Sequence, residues 1–177
     1  VGSEMCIRDS IKSVMKKEKL KKVIKLILII LWMIIVFCFS AQPGTESTGT
    51  SRGFIARILD ISMKFVNLDE IAKENVIVAI EPIVRKFAHF TLYTIGGIVI
   101  INYISTYKLK KKKEALISLL IGALYACTDE FHQFFVEGRS ASIIDVGIDS
   151  LGIITGIGIF LIISIFINKI KDKVSYK

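Results

Sequence analysis

The sequence is poor in the residues that build disulfide and metal frameworks. Its three cysteines, Cys6, Cys38 and Cys127, are odd in number, and no two form a CxxC pair. That leaves neither a disulfide framework nor a cysteine metal signature. Cys38 and Cys127 fall inside hydrophobic runs and read as small apolar helix residues. Histidine occurs only twice, at His89 and His132, with no H-E-x-x-H motif and no recognisable nucleophile motif. Acidic residues, 16, are outnumbered by 24 basic ones. The formal charge of +8 invites a nucleic-acid reading. The lysines, however, flank hydrophobic stretches in short clusters with no nucleic-acid-binding fold between them, so no nucleic-acid partner is expected.

What the chain does have is long apolar runs. A 53% hydrophobic content and a mean hydropathy of +0.60 over 177 residues exceed what an ordinary soluble domain carries. The runs are about as long as a bilayer is thick. The expected class is therefore all-α, an integral membrane bundle of four transmembrane helices over 23–41, 87–104, 115–135 and 143–167. The bilayer is its first partner. A basic leader covers 1–22. Its first ten residues resemble a translated adapter remnant, and Met15 is the expected natural start. The four-helix membrane domain spans 23–167, and a basic tail covers 168–177. Most of the 24 basic residues lie in the leader, the KLKKKK turn at 108–113 and the tail, which predicts both termini cytoplasmic. Lys25 is close enough to the end of its span to snorkel. Between the first two spans, SAQPG stops a helix. Residues 52–85 then place Phe54, Ile58, Ile61 and Phe65 at helical spacing, with Arg57, Asp60 and Lys64 on other faces, an amphipathic segment in the first outer loop.

Several polar residues sit where a membrane makes them expensive, at about 2.5–3.5 kcal/mol per ionisable group near a helix centre. Arg85, His89 and Tyr93 fall at i, i+4 and i+8 with Lys86 beside them, one stripe of the second span. Asp129, His132 and Gln133 share a face of the third with Tyr125, while Glu130 points roughly 100° away. Asp145 and Asp149 stand one turn apart on the fourth. His89, Asp129, His132 and Asp145 are expected at one depth and in one outward-facing cluster, the form a metal, proton-transfer or register-fixing network takes in a bundle. Arg139, in the short turn before the fourth span, is expected to pair with Asp145 or with an anionic ligand. No motif calls for a cofactor. A divalent metal is the one group the cluster suits, with His132, Asp129, His89 and Asp145 as its ligands. Glycines 96, 97, 152, 156 and 158 are expected to permit close helix packing. Ser140 and Ser142 read as N-cap residues.

The run Arg85-Lys86-x-x-His89-x-x-x-Tyr93, followed by YACTDEFHQFFVEGRSASIIDVGIDSLG, closely resembles the VanZ-like family, and SAQPG resembles its Ser-x-Gln signature. The resemblance covers residues 39–156. Lys86, His89, Tyr93, Asp129, Glu130, His132, Gln133, Arg139, Asp145 and Gly152 match the family pattern, whereas Asp149 stands where an asparagine is usual. It implies a multi-pass protein of the bacterial cell membrane, acting at the cell envelope with a link to glycopeptide (teicoplanin) resistance. Two functions fit the residues. One is a binding protein whose outward pocket takes a polar headgroup, a lipid-linked cell-wall precursor or an envelope protein. The other is a membrane-embedded enzyme, in a metal-dependent form or with a histidine as general base, acting on a lipid-linked envelope substrate.

Overall fold

The computed structural model describes residues 2–62 and 69–175, with side chains for 15–61 and 69–174, and every regular element among them is helical. The order is α1 (Gly2–Ser40), α2 (Gly44–Ser62), α3 (Glu70–Ile104), a single 3₁₀ turn at Ser105–Tyr107, α4 (Lys111–Gln133) and α5 (Ile143–Ser175). In lipid a chain must satisfy its backbone polar groups internally, and a helix does so within one segment. Among the described residues, three helices are long and apolar enough to cross a membrane: Met15–Ser40, Glu70–Tyr107 and Ile143–Val174. Their outer surfaces are apolar and exposed, as at Leu26, Ile27, Leu31 and Ile34 on α1 and Ile162, Ile163 and Phe166 on α5. The 23-residue α4 is more polar, with Lys111–Lys113 and Glu114 at its start and Asp129, Glu130, His132 and Gln133 at its end.

α3 is the centre of the bundle and touches every other helix. Its most extensive partner is α5, because glycines let the two backbones meet. A Cβ on Gly97 would strike the backbone of Ile153, one on Gly152 the carbonyl of Phe90, and one on Gly156 the carbonyl of Thr94. Gly96 makes room for the ring of Trp32 in the same way. Trp32, Val36 and Ser40 form the buried stripe of α1, spaced four apart so that they share one face. The core between the helices is Trp32, Val36, Tyr93, Ile100, Ile101, Ala126, Ile153 and their neighbours. At the far end, Lys25 Nζ on α1 donates to the Asn102 carbonyl on α3 at 2.8 Å. Glu114 is fully buried there and accepts from Lys111 at 2.7 Å.

Three boundaries differ from expectation. The second long helix starts at Glu70, not after Pro82, which lies inside it. Residues 70–81 hold no glycine or proline to interrupt a helix, and ion pairs Arg52–Glu74 (3.0 Å) and Lys73–Asp60 (2.7 Å) tie them to α2. At 35 residues α3 is about 50 Å long, so its first turns extend past a hydrocarbon layer of about 30 Å. The amphipathic segment is thereby divided between α2 and the start of α3. Within it Ile55, Ile77 and Glu81 are buried, while Phe54 and Ile61 are exposed. Lys64 and Phe65 lie outside the described residues. Finally, α5 carries on to Ser175, so the basic tail is largely a continuation of the helix.

Gly158 departs from the packing expectation, since nothing lies within 4 Å of a Cβ placed there. Gly156→Ala should therefore cost about 1–3 kcal/mol through overpacking. Gly158→Ala should be neutral or slightly stabilising, because alanine favours helix. Melting temperatures of the two variants in detergent test this, and equal losses would refute a glycine seam confined to one face.

Candidate functional site

The polar residues meet at the end of the bundle where α1 and α4 stop and α5 begins. Asp129 on α4 is the hub. Its Oδ2 accepts from Ser40 Oγ on α1 at 2.9 Å, from Tyr93 Oη on α3 at 3.1 Å and from Gln133 Nε2 at 3.3 Å. Gln133 Nε2 also donates to Ser40 Oγ at 3.2 Å. Tyr93 is completely buried, with its ring edge-on to Trp32 at 5.7 Å, and Trp32 Nε1 donates to the Leu92 carbonyl at 2.8 Å. Tyr125 turns its hydroxyl to the Met33 carbonyl at 2.6 Å, which places it against α1.

Arg139 closes the end of the bundle. Its three nitrogens donate to the Gln42 carbonyl (3.0 Å), the Phe39 carbonyl (2.9 Å) and Gln133 Oε1 (3.3 Å). One guanidinium thus caps the last turn of α1 and holds the glutamine that contacts Asp129. The expected pairing with Asp145 is absent. Asp145 instead accepts from Lys86 Nζ at 2.7 Å, because Arg139 is drawn to the free carbonyls that end α1. Burial, with Arg85 nearby, holds the Arg139 pKa below its usual value against the pull of Asp129 and Glu130, but a guanidinium stays protonated. The turn is further tied by Gly44 N donating to the Glu137 carbonyl at 2.9 Å, and Gly138 takes φ +73°.

The faces of α4 sort differently from the sequence expectation. Each residue advances about 100°, so Glu130 and His132 lie on opposite flanks of Asp129. Glu130 turns toward α5, is buried, and accepts from Ser142 N at 2.9 Å. His132 turns toward α1 and stacks on Phe37 at 4.6 Å. It is not part of the cluster with His89, and the expected ligand set His132, Asp129, His89 and Asp145 is not brought together. The residues that do converge are His89, Asp129 and Asp149, one donor atom of each lying within 4.8 Å of the others. Asp149 is 1% exposed, its Oδ1 is 4.0 Å from His89 Nδ1 and its Oδ2 has no partner. Ser142 is the N-cap of α5, accepting from Ile144 N at 3.2 Å, as expected for that serine.

These groups line a cavity of about 90 Å³ formed by Arg85, Lys86, His89, Glu130, Gln133, Arg139, Ser140, Asp145 and Asp149 with Gly138 and Ile148. Arg85 is held loosely, at 4.0 Å from Glu81. Ser40 is the site residue that sequence reasoning missed. Its signal was its place on the Trp32–Val36–Ser40 stripe, inside the Ser-x-Gln signature.

Because the Arg139 fork makes three bonds in different directions, lysine cannot replace it. Arg139→Lys and Arg139→Ala should both lower stability by about 1–3 kcal/mol. Glu137→Ala should leave it unchanged, because only the backbone carbonyl of Glu137 is engaged. Thermal melts in detergent decide this, and an Arg139→Lys protein of full stability removes the role assigned to the fork.

Among known proteins, neither a curated protein nor a solved structure gives a match. The family model described as VanZ/LLP1 matches residues 25–164. That range contains most of each apolar helix, the Ser40–Asp129–Tyr93 hub and every residue of the cavity, and the chain belongs to the VanZ/LLP1 family.

Proposed function

We propose that this protein binds the anionic headgroup of an envelope lipid or lipid-linked cell-wall precursor in the cavity at the outer end of its bundle. The observation that carries the reading is the set of cations in the lining: Arg85, Lys86 and Arg139 stand, with Glu130, Asp145 and Asp149, around a space of about 90 Å³. That is enough for several waters or one small anionic group. Guanidinium and ammonium groups recognise phosphate and carboxylate through charge-assisted hydrogen bonds. Lys86 and Arg85 remain partly exposed and can meet a ligand without leaving the bundle. The same helical turns and the Arg139 turn expose Phe87, Phe131, Phe134, Ile143 and Ile144. A polar cavity beside exposed apolar side chains suits a ligand with a charged head and a hydrocarbon tail.

The reading includes a topology. α4 is the fourth crossing: 23 residues make about 35 Å of helix, and its polar residues sit at its two ends. Both termini are cytoplasmic by the distribution of lysine, and α2 lies on the outer surface with Phe54 and Ile61 toward the membrane. Binding a cell-wall precursor is also the route by which the chain would affect susceptibility to teicoplanin. A second reading, an enzyme acting on the same lipid-linked class, draws on His89 in the cavity wall, a residue type that can serve as general base.

The binding reading is tested by the phosphate-bearing lipids that copurify in mild detergent, identified by mass spectrometry. Lys86→Gln and Arg85→Gln should each weaken binding of such a lipid by about tenfold, and His132→Gln should not. No copurifying phosphate-bearing species, together with equal affinity in all three variants, would overturn it. For topology, single cysteines at Thr48 and Lys112 in a background without the native cysteines should label with impermeant maleimide on whole cells at 48 only. Labelling at 112 instead inverts the protein and removes the outer-leaflet ligand.

A further inference from the structure

At the cavity, two buried carboxylates each bring one oxygen within 4.8 Å of the other and of a His89 ring nitrogen. Asp129 and Asp149 are 4% and 1% exposed. Among the described residues, the basic groups that line the cavity are engaged elsewhere. Lys86 donates to Asp145, Arg139 to two backbone carbonyls and Gln133, and Arg85 is paired with Glu81. Asp149 Oδ2 is buried with no hydrogen-bond partner. His89 Nδ1 stands 4.0 Å from Asp149 Oδ1, too far for a hydrogen bond. A buried carboxylate that stays ionised without a partner is costly, and two with oxygens within 4.8 Å of each other more so.

We infer that His89, Asp129 and Asp149 form a binding site for one divalent cation. One donor atom from each lies within 4.8 Å of the others, and the three come from three different helices. Donors around a tetrahedral ion with bonds near 2.1 Å stand about 3.4 Å apart, so loading draws the three side chains inward by roughly an ångström. Two carboxylates neutralise the double positive charge, and the imidazole completes a mixed oxygen–nitrogen set suited to Zn²⁺ or Mn²⁺. The surroundings orient the donors as second-shell groups do. Ser40, Tyr93 and Gln133 all bind Oδ2 of Asp129, and none of these three bonds engages Oδ1. His89 and Asp149 also line the cavity, so the open positions of the ion face it. The site stands independently of the headgroup reading, because its ligands are not the basic groups that would hold an anion.

The test uses the full chain in mild detergent, stripped with a chelator and then titrated with Zn²⁺ or Mn²⁺ alone. Elemental analysis should find about one ion per chain. The melting temperature should rise by roughly 5–10 °C at an ion concentration a hundredfold above Kd. Asp149→Asn removes a buried charge without changing shape, so this variant should fold yet lose both signals, as should His89→Gln. His132→Gln and Asp145→Asn should keep both. Absence of a bound ion in the wild-type chain overturns the inference, and so does equal binding by Asp149→Asn or loss of the ion on changing His132. Lipid affinity of Lys86→Gln, measured on the same preparations, reports separately on the headgroup reading.

Discussion

The polar end of this bundle depends on one buried carboxylate. Asp129 accepts hydrogen bonds from α1 through Ser40, from α3 through Tyr93 and from its own helix through Gln133. A buried acceptor of this kind is stabilising only while its donors stay in place, since removing one leaves desolvated charge without compensation. The bonds therefore fix the register of α1, α3 and α4 against one another. Lipid does little to hold one apolar helix against another, so such polar contacts and close packing do that work.

The rest of the architecture follows around that hub. Tyr93 must be fully buried to reach Asp129, which requires Trp32 beside it and a glycine at position 96 under the indole. Close contact of α3 with α5 at Gly97, Gly152 and Gly156 brings Asp149 and Asp145 level with His89 and Lys86. Arg139 then joins the α4–α5 turn to the free carbonyls of α1. The glycine seam and the arginine cap are thus not separate from the site. They determine which acids and bases share the cavity.

Much of this was legible in the sequence. Length and apolarity of the runs identified helices of membrane type, and the Lys86, His89, Tyr93, Asp129, Glu130, Gln133, Arg139, Asp145 and Asp149 positions all lie in or beside the polar cluster. Two kinds of detail were not legible. Pro82 looks like a helix boundary, yet α3 runs through it, because packing and ion pairs with α2 support the preceding turns. His132 shares a nominal face with Asp129, yet a face is a wide arc. Only the position of α1 decides that its ring stacks on Phe37.

What the sequence by itself determined is the helical class, the family and the list of polar residues near one end, because apolar run length and costly buried charge are properties of composition and spacing. Partner choice was decided by the tertiary structure. In a run such as α1, apolar on all sides, hydropathy cannot say which stripe faces inward. The inward stripe that ends in Ser40 exists only once α3 and α4 are in place. Likewise, Lys86 rather than Arg139 holds Asp145. The reason is geometric: Arg139 sits within reach of the Phe39 carbonyl in the last turn of α1 and the Gln42 carbonyl just past it, and those acceptors compete for its donors.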